Sequence, residues 1–150
     1  MPRRKERIAV VLDTNVIVAF YLTTRRDSPN AQVFRLWRDH RELQLILSPE
    51  LADEYLEILS RIGVAEKRVA RFAKRLERRG TTTLVNLGAR TVASRDPEDN
   101  FVLATAASGK AAFLVTNDRD LLDIPASVHK KFKFEIVTPT VLLRRLKEKK

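Results

Sequence analysis

The chain has no cysteine among its 150 residues. Disulfides and thiolate-bound zinc are therefore excluded, and a reducing compartment suits it. Histidine is nearly as scarce: only His40 and His129 are present, too few for a histidine-rich metal site. Long apolar runs are also missing. The best candidate, residues 8–22, is interrupted near its middle by Asp13, Thr14 and Asn15, and it is too short and too polar to span a bilayer. The start, MPRRKERIAVVL, is basic and then apolar like a signal peptide, but the apolar run from Ile8 to Leu12 is short of a signal core. No repeat, low-complexity tract or interdomain linker is visible. The expectation is one soluble cytoplasmic domain with no membrane partner. At 44% apolar residues, the chain can bury a sizeable core and is not of the disordered class.

What is abundant is positive charge, and it is segregated. Residues 3–7 carry net +3, residues 61–79 net +6 and residues 144–150 net +4. Together these give +13, which leaves −3 for the remainder of a chain whose formal charge is +10. Basic segments around a slightly acidic middle suit a polyanionic partner, nucleic acid first and an anionic membrane second. Plain solubility, or an arginine-rich surface suited to heat, is the alternative reading.

Four dipeptides punctuate the chain alike: Ser28-Pro29, Ser48-Pro49, Asp96-Pro97 and Thr138-Pro139. Each pairs a capping residue with proline at the first helical position, and each precedes apolar residues at helical spacing. A further helix is expected over 65–79, with Val69, Phe72, Ala73 and Leu76 on one side and arginines on the other. Between these lie strand-like runs at 8–12, 43–48, 82–87, 112–116 and 134–138. Alternating strands and helices imply a mainly parallel sheet of about five strands covered on both faces. Residues 23–30 and 125–133 read as loops. Trp37 and Tyr55 have rings that can stack on bases, but both sit on apolar helix faces, so core packing is expected; Phe72 reads as core.

Acidic residues recur at matching places. Asp13 and Asp118 each follow a strand-like run, where open α/β sheets put their sites; each can equally cap a following helix. Asp99 lies in the first turn after Asp96-Pro97. At about 100° per residue, Val102, Leu103, Ala106 and Ala107 all fall within about 80° of it, so it faces inward. A capping-box partnership with Asp96 explains its spacing but not that direction. By the same count Glu54 borders the face made by Leu51, Tyr55, Ile58 and Leu59, while Asp53 points away; an ordinary rim glutamate remains open. Four acids gathered in one place are costly. Two carboxylates about 5 Å apart repel by roughly 3 kcal/mol at an effective dielectric of about 20. Some must stay protonated, or a cation must bind. An all-oxygen set selects Mg²⁺ or Mn²⁺ over zinc, and such an ion can activate water for attack on phosphorus.

VVLDTN at 10–15, SPELADEYLEIL at 48–59, SRDPEDNFVLATA at 94–106 and FLVTNDRDLL at 113–122, in this order and spacing, resemble a PIN domain over about residues 7–140. The DPEDN and TNDRDLL pair looks most like the branch of toxin components in toxin–antitoxin pairs. The resemblance implies a three-layer α/β/α sandwich and Mg²⁺- or Mn²⁺-dependent cleavage of single-stranded RNA to 5′-phosphate and 3′-hydroxyl ends. It also implies frequent homodimerisation and an antitoxin protein as partner. The family's acidic quartet falls on Asp13, Glu54, Asp99 and Asp118 as catalytic and metal-ligating residues. Asp96 and Asp120 stand where relatives can hold outer waters of the ion. Thr14, Asn15, Thr116 and Asn117 would orient the carboxylates, although Asn117 stands where relatives often have glycine or serine. Arg68, Arg71, Arg75, Arg78 and Arg79 would bind phosphates around the acidic cleft. The alternative is a PIN-like fold that binds or processes RNA without a toxin role, or without turnover.

Overall fold

A computed structural model describes residues 6–87 and 97–148, with the side chains of 97–100, 126 and 128 left aside. Five strands form one sheet: β1 (Ile8–Leu12), β2 (Leu43–Leu47), β3 (Thr82–Leu84), β4 (Phe113–Val115) and β5 (Glu135–Val137). All neighbours are parallel, in the order β3-β2-β1-β4-β5. Around it lie α1 (Thr14–Leu22), α2 (Pro29–Arg38), α3 (Pro49–Arg61), α4 (Glu66–Leu76), α5 (Pro97–Ser108), α6 (Arg119–Leu122), α7 (Ala126–His129) and α8 (Pro139–Glu148). Parallel strands need crossovers, and right-handed ones carry helices to both faces as the winding reverses at β1. Helix α5 accordingly packs on β1, β2 and β4, α2 packs on β2, and α8 packs on β4 and β5. The result is a three-layer α/β/α sandwich.

Local chemistry sets most of the boundaries. Ser28 Oγ accepts from Ala31 N–H and Ser48 Oγ from Leu51 N–H, both at 3.2 Å, and Thr138 Oγ1 accepts from Val141 N–H at 3.1 Å. The fourth capping dipeptide begins at Asp96, which lies outside the described residues. The stretch 125–133 is not a plain loop, because α7 occupies its first half; one helical turn is too short to leave a periodic signature. The basic carboxyl-terminal residues through Glu148 continue α8, held by buried Leu142 and Leu146.

The central strands are buried on both sides, with Val10, Val11, Leu12, Leu45 and Leu114 wholly inaccessible. Beside them, Phe34, Trp37, Tyr55 and Phe72 form a ring cluster with centroids about 5.4–6.1 Å apart. Trp37 donates its indole N–H to Thr81 O at 3.0 Å, and Tyr55 donates its hydroxyl to Leu12 O. Both rings are core, so neither is available to stack on a base. Close packing also fixes Gly109: a Cβ there would lie 2.1 Å from Ile46 Cγ2. Among the described residues, no helix is long and apolar enough to cross a membrane.

Candidate active site

The strand order reverses at β1, between β1 and β4. Open α/β sheets bind ligands in the crevice at such a point, beyond the carboxyl ends of the strands. Asp13 follows β1 directly, and Asp118 stands three residues beyond β4. Both line a hollow of about 360 Å³ together with Glu54 of α3. Its remaining walls include Thr14, Asn15, Val102 and Leu121. No lysine or arginine among the described residues lines it.

A hydrogen-bonded lattice holds the two strand ends in register. Asp13 N–H donates to Val115 O at 2.9 Å. Asp13 Oδ1 accepts from Thr14 N–H at 2.8 Å. Its Oδ2 accepts from Thr116 Oγ1 at 2.7 Å and Asn15 Nδ2 at 3.2 Å. Thr116 Oγ1 in turn accepts from Asp118 N–H at 2.9 Å. Asn15 Oδ1 accepts from Asn117 N–H at 3.0 Å, so the turn after β1 and the turn after β4 are bolted together. Thr14 Oγ1 donates to Glu54, which brings the α3 carboxylate to the same place.

Asp13 is only 8% exposed. Burial raises its pKa above the ordinary carboxylate value; the Thr116 hydroxyl pulls the other way, and the Asp118 charge adds to the rise. The two acids therefore sense each other across the hollow. Tyr55 lies beneath, and burial pushes its phenol well above the usual range, so the proton stays on and is donated to Leu12 O.

Asp13 and Asp118 both act as helix caps as well. Asp13 caps α1, and Asp118 Oδ1 accepts from Asp120 N–H at 2.9 Å at the start of α6. Capping and lining the hollow are compatible, because each carboxylate has a second oxygen. Asp120 is exposed and does not line the hollow. Asp99 lies in the first turn of α5, three residues before Val102, which does line it. The Asp99 side chain and the whole of Asp96 are outside the described residues. Among the described residues, no three histidine, aspartate or glutamate side chains stand close enough together to form a ready-made ion cage.

Two contributors were not singled out from the sequence. Asn30, in the first turn of α2, accepts from Asn117 Nδ2 at 2.8 Å, which gives Asn117 a positioning contact of its own. Ser48 and Thr105, both fully buried, share a hydroxyl bond of 2.8 Å that ties the start of α3 to α5. Ser48 was legible only as a cap, and nothing in the sequence pairs it with Thr105.

The arginines need a correction of place. Arg68, Arg71 and Arg75 line a different hollow, which shares no residue with the acidic one. The reason is directional. Helix α1 leaves Asp13 and runs back along the sheet, and Arg68 lies over its far end, 4.8 Å from the Tyr21 ring centroid. Arg78 stands beside Gly80 and Thr81, just before β3. Arg79 lines neither hollow. These arginines do not ring the acidic cleft.

A profile of the PIN domain matches residues 9–120. The chain belongs to the PIN domain family. Membership supports nuclease activity of the hydrolase kind, in a family that generally depends on divalent metal. Among solved structures, this PIN domain is similar to VapBC2 from Rickettsia felis, bound there to a DNA fragment from their promoter. The likeness covers 87% of this chain and 98% of that one, at 15% identity and a TM-score of 0.56; at that identity it speaks for the fold. No curated protein matches the chain.

Proposed function

We propose that this PIN domain is a Mg²⁺- or Mn²⁺-dependent endoribonuclease acting on single-stranded RNA, the toxin of a toxin–antitoxin pair. The observation that carries the reading is the hollow at the strand-order reversal, which Asp13, Glu54 and Asp118 line together. The donor set fits a hard divalent ion: carboxylate, hydroxyl and amide oxygens, with no thiolate or imidazole. Asp13, Glu54, Asp99 and Asp118 are the residues that would hold it. A bound ion supplies a Lewis acid for the phosphodiester and makes water a better nucleophile.

The chain's own groups prepare that chemistry. Thr116 and Asn15 hold Asp13 Oδ2, Thr14 N–H holds Oδ1, and the Thr14 hydroxyl holds Glu54. The carboxylates are thus oriented before any ligand arrives, which lowers the reorganisation that binding requires. Hydrolysis adds water oxygen to phosphorus and breaks the bond to O3′, leaving a 5′-phosphate and a 3′-hydroxyl. The antitoxin partner is supported by the fold shared with VapBC2. Homodimerisation and a cytoplasmic setting complete the reading.

The test is cleavage of 5′-labelled single-stranded RNA with Mg²⁺ or Mn²⁺. Asp99→Asn and Asp118→Asn abolish it while leaving the fold's circular dichroism unchanged. Full cleavage by both purified variants would overturn the assignment. A second reading, a nucleic-acid module without turnover, draws on the lack of a ready-made ion cage among the described residues. No Mn²⁺ binding at millimolar concentration would favour it.

A further inference from the structure

The arginines displaced from the acidic cleft form a structure of their own. Arg38, Arg68, Arg71 and Arg75 line a hollow of about 310 Å³ floored by Phe20, Tyr21, Phe34 and Phe72. Arg38 lies over the Phe20 and Phe34 rings, 5.2 and 5.3 Å from their centroids. A second hollow, about 430 Å³, continues through Arg38 and Arg75 to Arg41 and Arg78. A third, about 220 Å³, continues the other way through Arg38 and Arg68 to Arg25, Arg26 and Arg35. Arg38 belongs to all three, so they make one track across α1, α2 and α4.

Little negative charge offsets it. Asp39 is the one acid lining the track among the described residues, and it is taken by Arg38 in a two-pronged bond of 2.8 and 2.9 Å. Arg26, Arg68, Arg71, Arg75 and Arg78 have no ion-pair partner among the described residues. Nor does the acidic hollow neutralise the end of the track at Arg41 and Arg78. Asp13 is at the carboxyl end of β1, whereas Arg41 and Gly80 precede β2 and β3. A five-residue strand at about 3.3 Å per residue separates the two ends by about 16 Å, twice the Debye length of about 8 Å at physiological salt.

We propose that this track is a second nucleic-acid site, separate from the cleavage centre, that grips the phosphates of single-stranded RNA at a distance from the bond that is cut. The proposal rests on the ribonuclease reading for its choice of RNA. Its chemistry comes from the track. Repeating unpaired guanidiniums match repeating phosphates. The aromatic rings are buried or roofed by guanidinium, so little apolar surface is left for the core of a protein interface. The acidic hollow repels phosphate and needs an ion before it can accept one; the track attracts it without one. Substrate long enough to reach both is held by the track while the hollow works on one bond.

The experiment uses the full chain in excess chelator, where cleavage is absent and the acidic hollow repels RNA. Fluorescence anisotropy follows a labelled 20-nucleotide oligouridylate from low to moderate salt. Arg26→Gln, Arg71→Gln and Arg78→Gln are combined, one exposed arginine from each hollow. The expected result is binding weakened at least about tenfold and a salt slope smaller by about 2, the value for three phosphate contacts to a single strand. Arginine-to-lysine changes at the same three positions keep most of the slope. A charge-matched control, Arg61→Gln with Lys130→Gln and Lys147→Gln, leaves the slope unchanged. The proposal is overturned if the track variant binds like wild type, if the control weakens binding equally, or if polyglutamate displaces RNA at lower concentration, which would make the track a seat for an acidic protein segment. Binding is read without turnover. A protein that binds through the track but never cleaves would sink the nuclease reading alone, and one that cleaves but ignores the track changes would sink the track alone.

Discussion

Replacing Thr116 with valine removes one hydroxyl from the centre of the strand-end lattice and little else. That hydroxyl donates to Asp13 Oδ2 at 2.7 Å and accepts from Asp118 N–H at 2.9 Å. Thr116 is fully buried, so water cannot replace the lost bonds. A bond to a charged group contributes about 1.5–3 kcal/mol and a neutral one about 0.5–1.5 kcal/mol. Allowing for the apolar gain of the methyl, Thr116→Val should cost about 2–4 kcal/mol. For a chain of this size, 1 kcal/mol moves the melting point by about 2–4 °C, so a fall of about 4–16 °C is expected. The substitution also removes the main influence that lowers the Asp13 pKa, so Asp13 ionises at still higher pH. Thr116→Ser restores the hydroxyl and recovers most of the loss. The assay is urea unfolding at neutral pH in chelator, with wild type and both variants measured together. A valine variant within about 0.5 kcal/mol of wild type, inside the range of neutral surface changes, would refute the claim that this hydroxyl organises the site.

Other predictions follow from the same geometry. The Asp13 pKa is raised above 3.8 in the folded state, so the folded chain holds that proton more tightly and loses stability as pH rises from 3.8 through the raised value. Asp13→Asn cannot ionise; in chelator its stability should therefore gain on wild type across that window and then run parallel, as pH-dependent unfolding curves will show. Gly109→Ala forces a methyl against Ile46 Cγ2 on a stiff, buried β-branched side chain. It should cost about 1–3 kcal/mol, and Ile46→Ala in the same chain should return part of that.

Much of this fold announces itself locally. Serine or threonine before proline fixed where α2, α3 and α8 begin, because the cap bond and the proline φ are properties of neighbouring residues. Strand ends were legible at Asp13 and Asp118 because a polar residue stops an apolar run. Helical phase put Glu54 at the border of the apolar face and left an ordinary rim glutamate open; its contact with Thr14 is compatible with that phase. Other features depend on relations that no local pattern carries. The reversal of strand order at β1 is a property of topology. The position of the arginines depends on which end of α1 meets α4: a stripe on α4 reads the same whether it faces the cleft or the opposite edge of the sheet. Asn30 joins the lattice through a partner 87 residues away, and Thr105 meets Ser48 across 57 residues, distances at which periodicity says nothing.

The central claim is that Asp13, Glu54, Asp99 and Asp118 hold a divalent ion between them. Electron paramagnetic resonance of Mn²⁺ titrated into the metal-free protein reads this directly, because bound manganese loses its free-ion signal. The account predicts saturable binding by wild type at submillimolar Mn²⁺ and its loss in Asp118→Asn. Wild type that leaves the free-ion signal untouched, or a variant that binds as well as wild type, would contradict it.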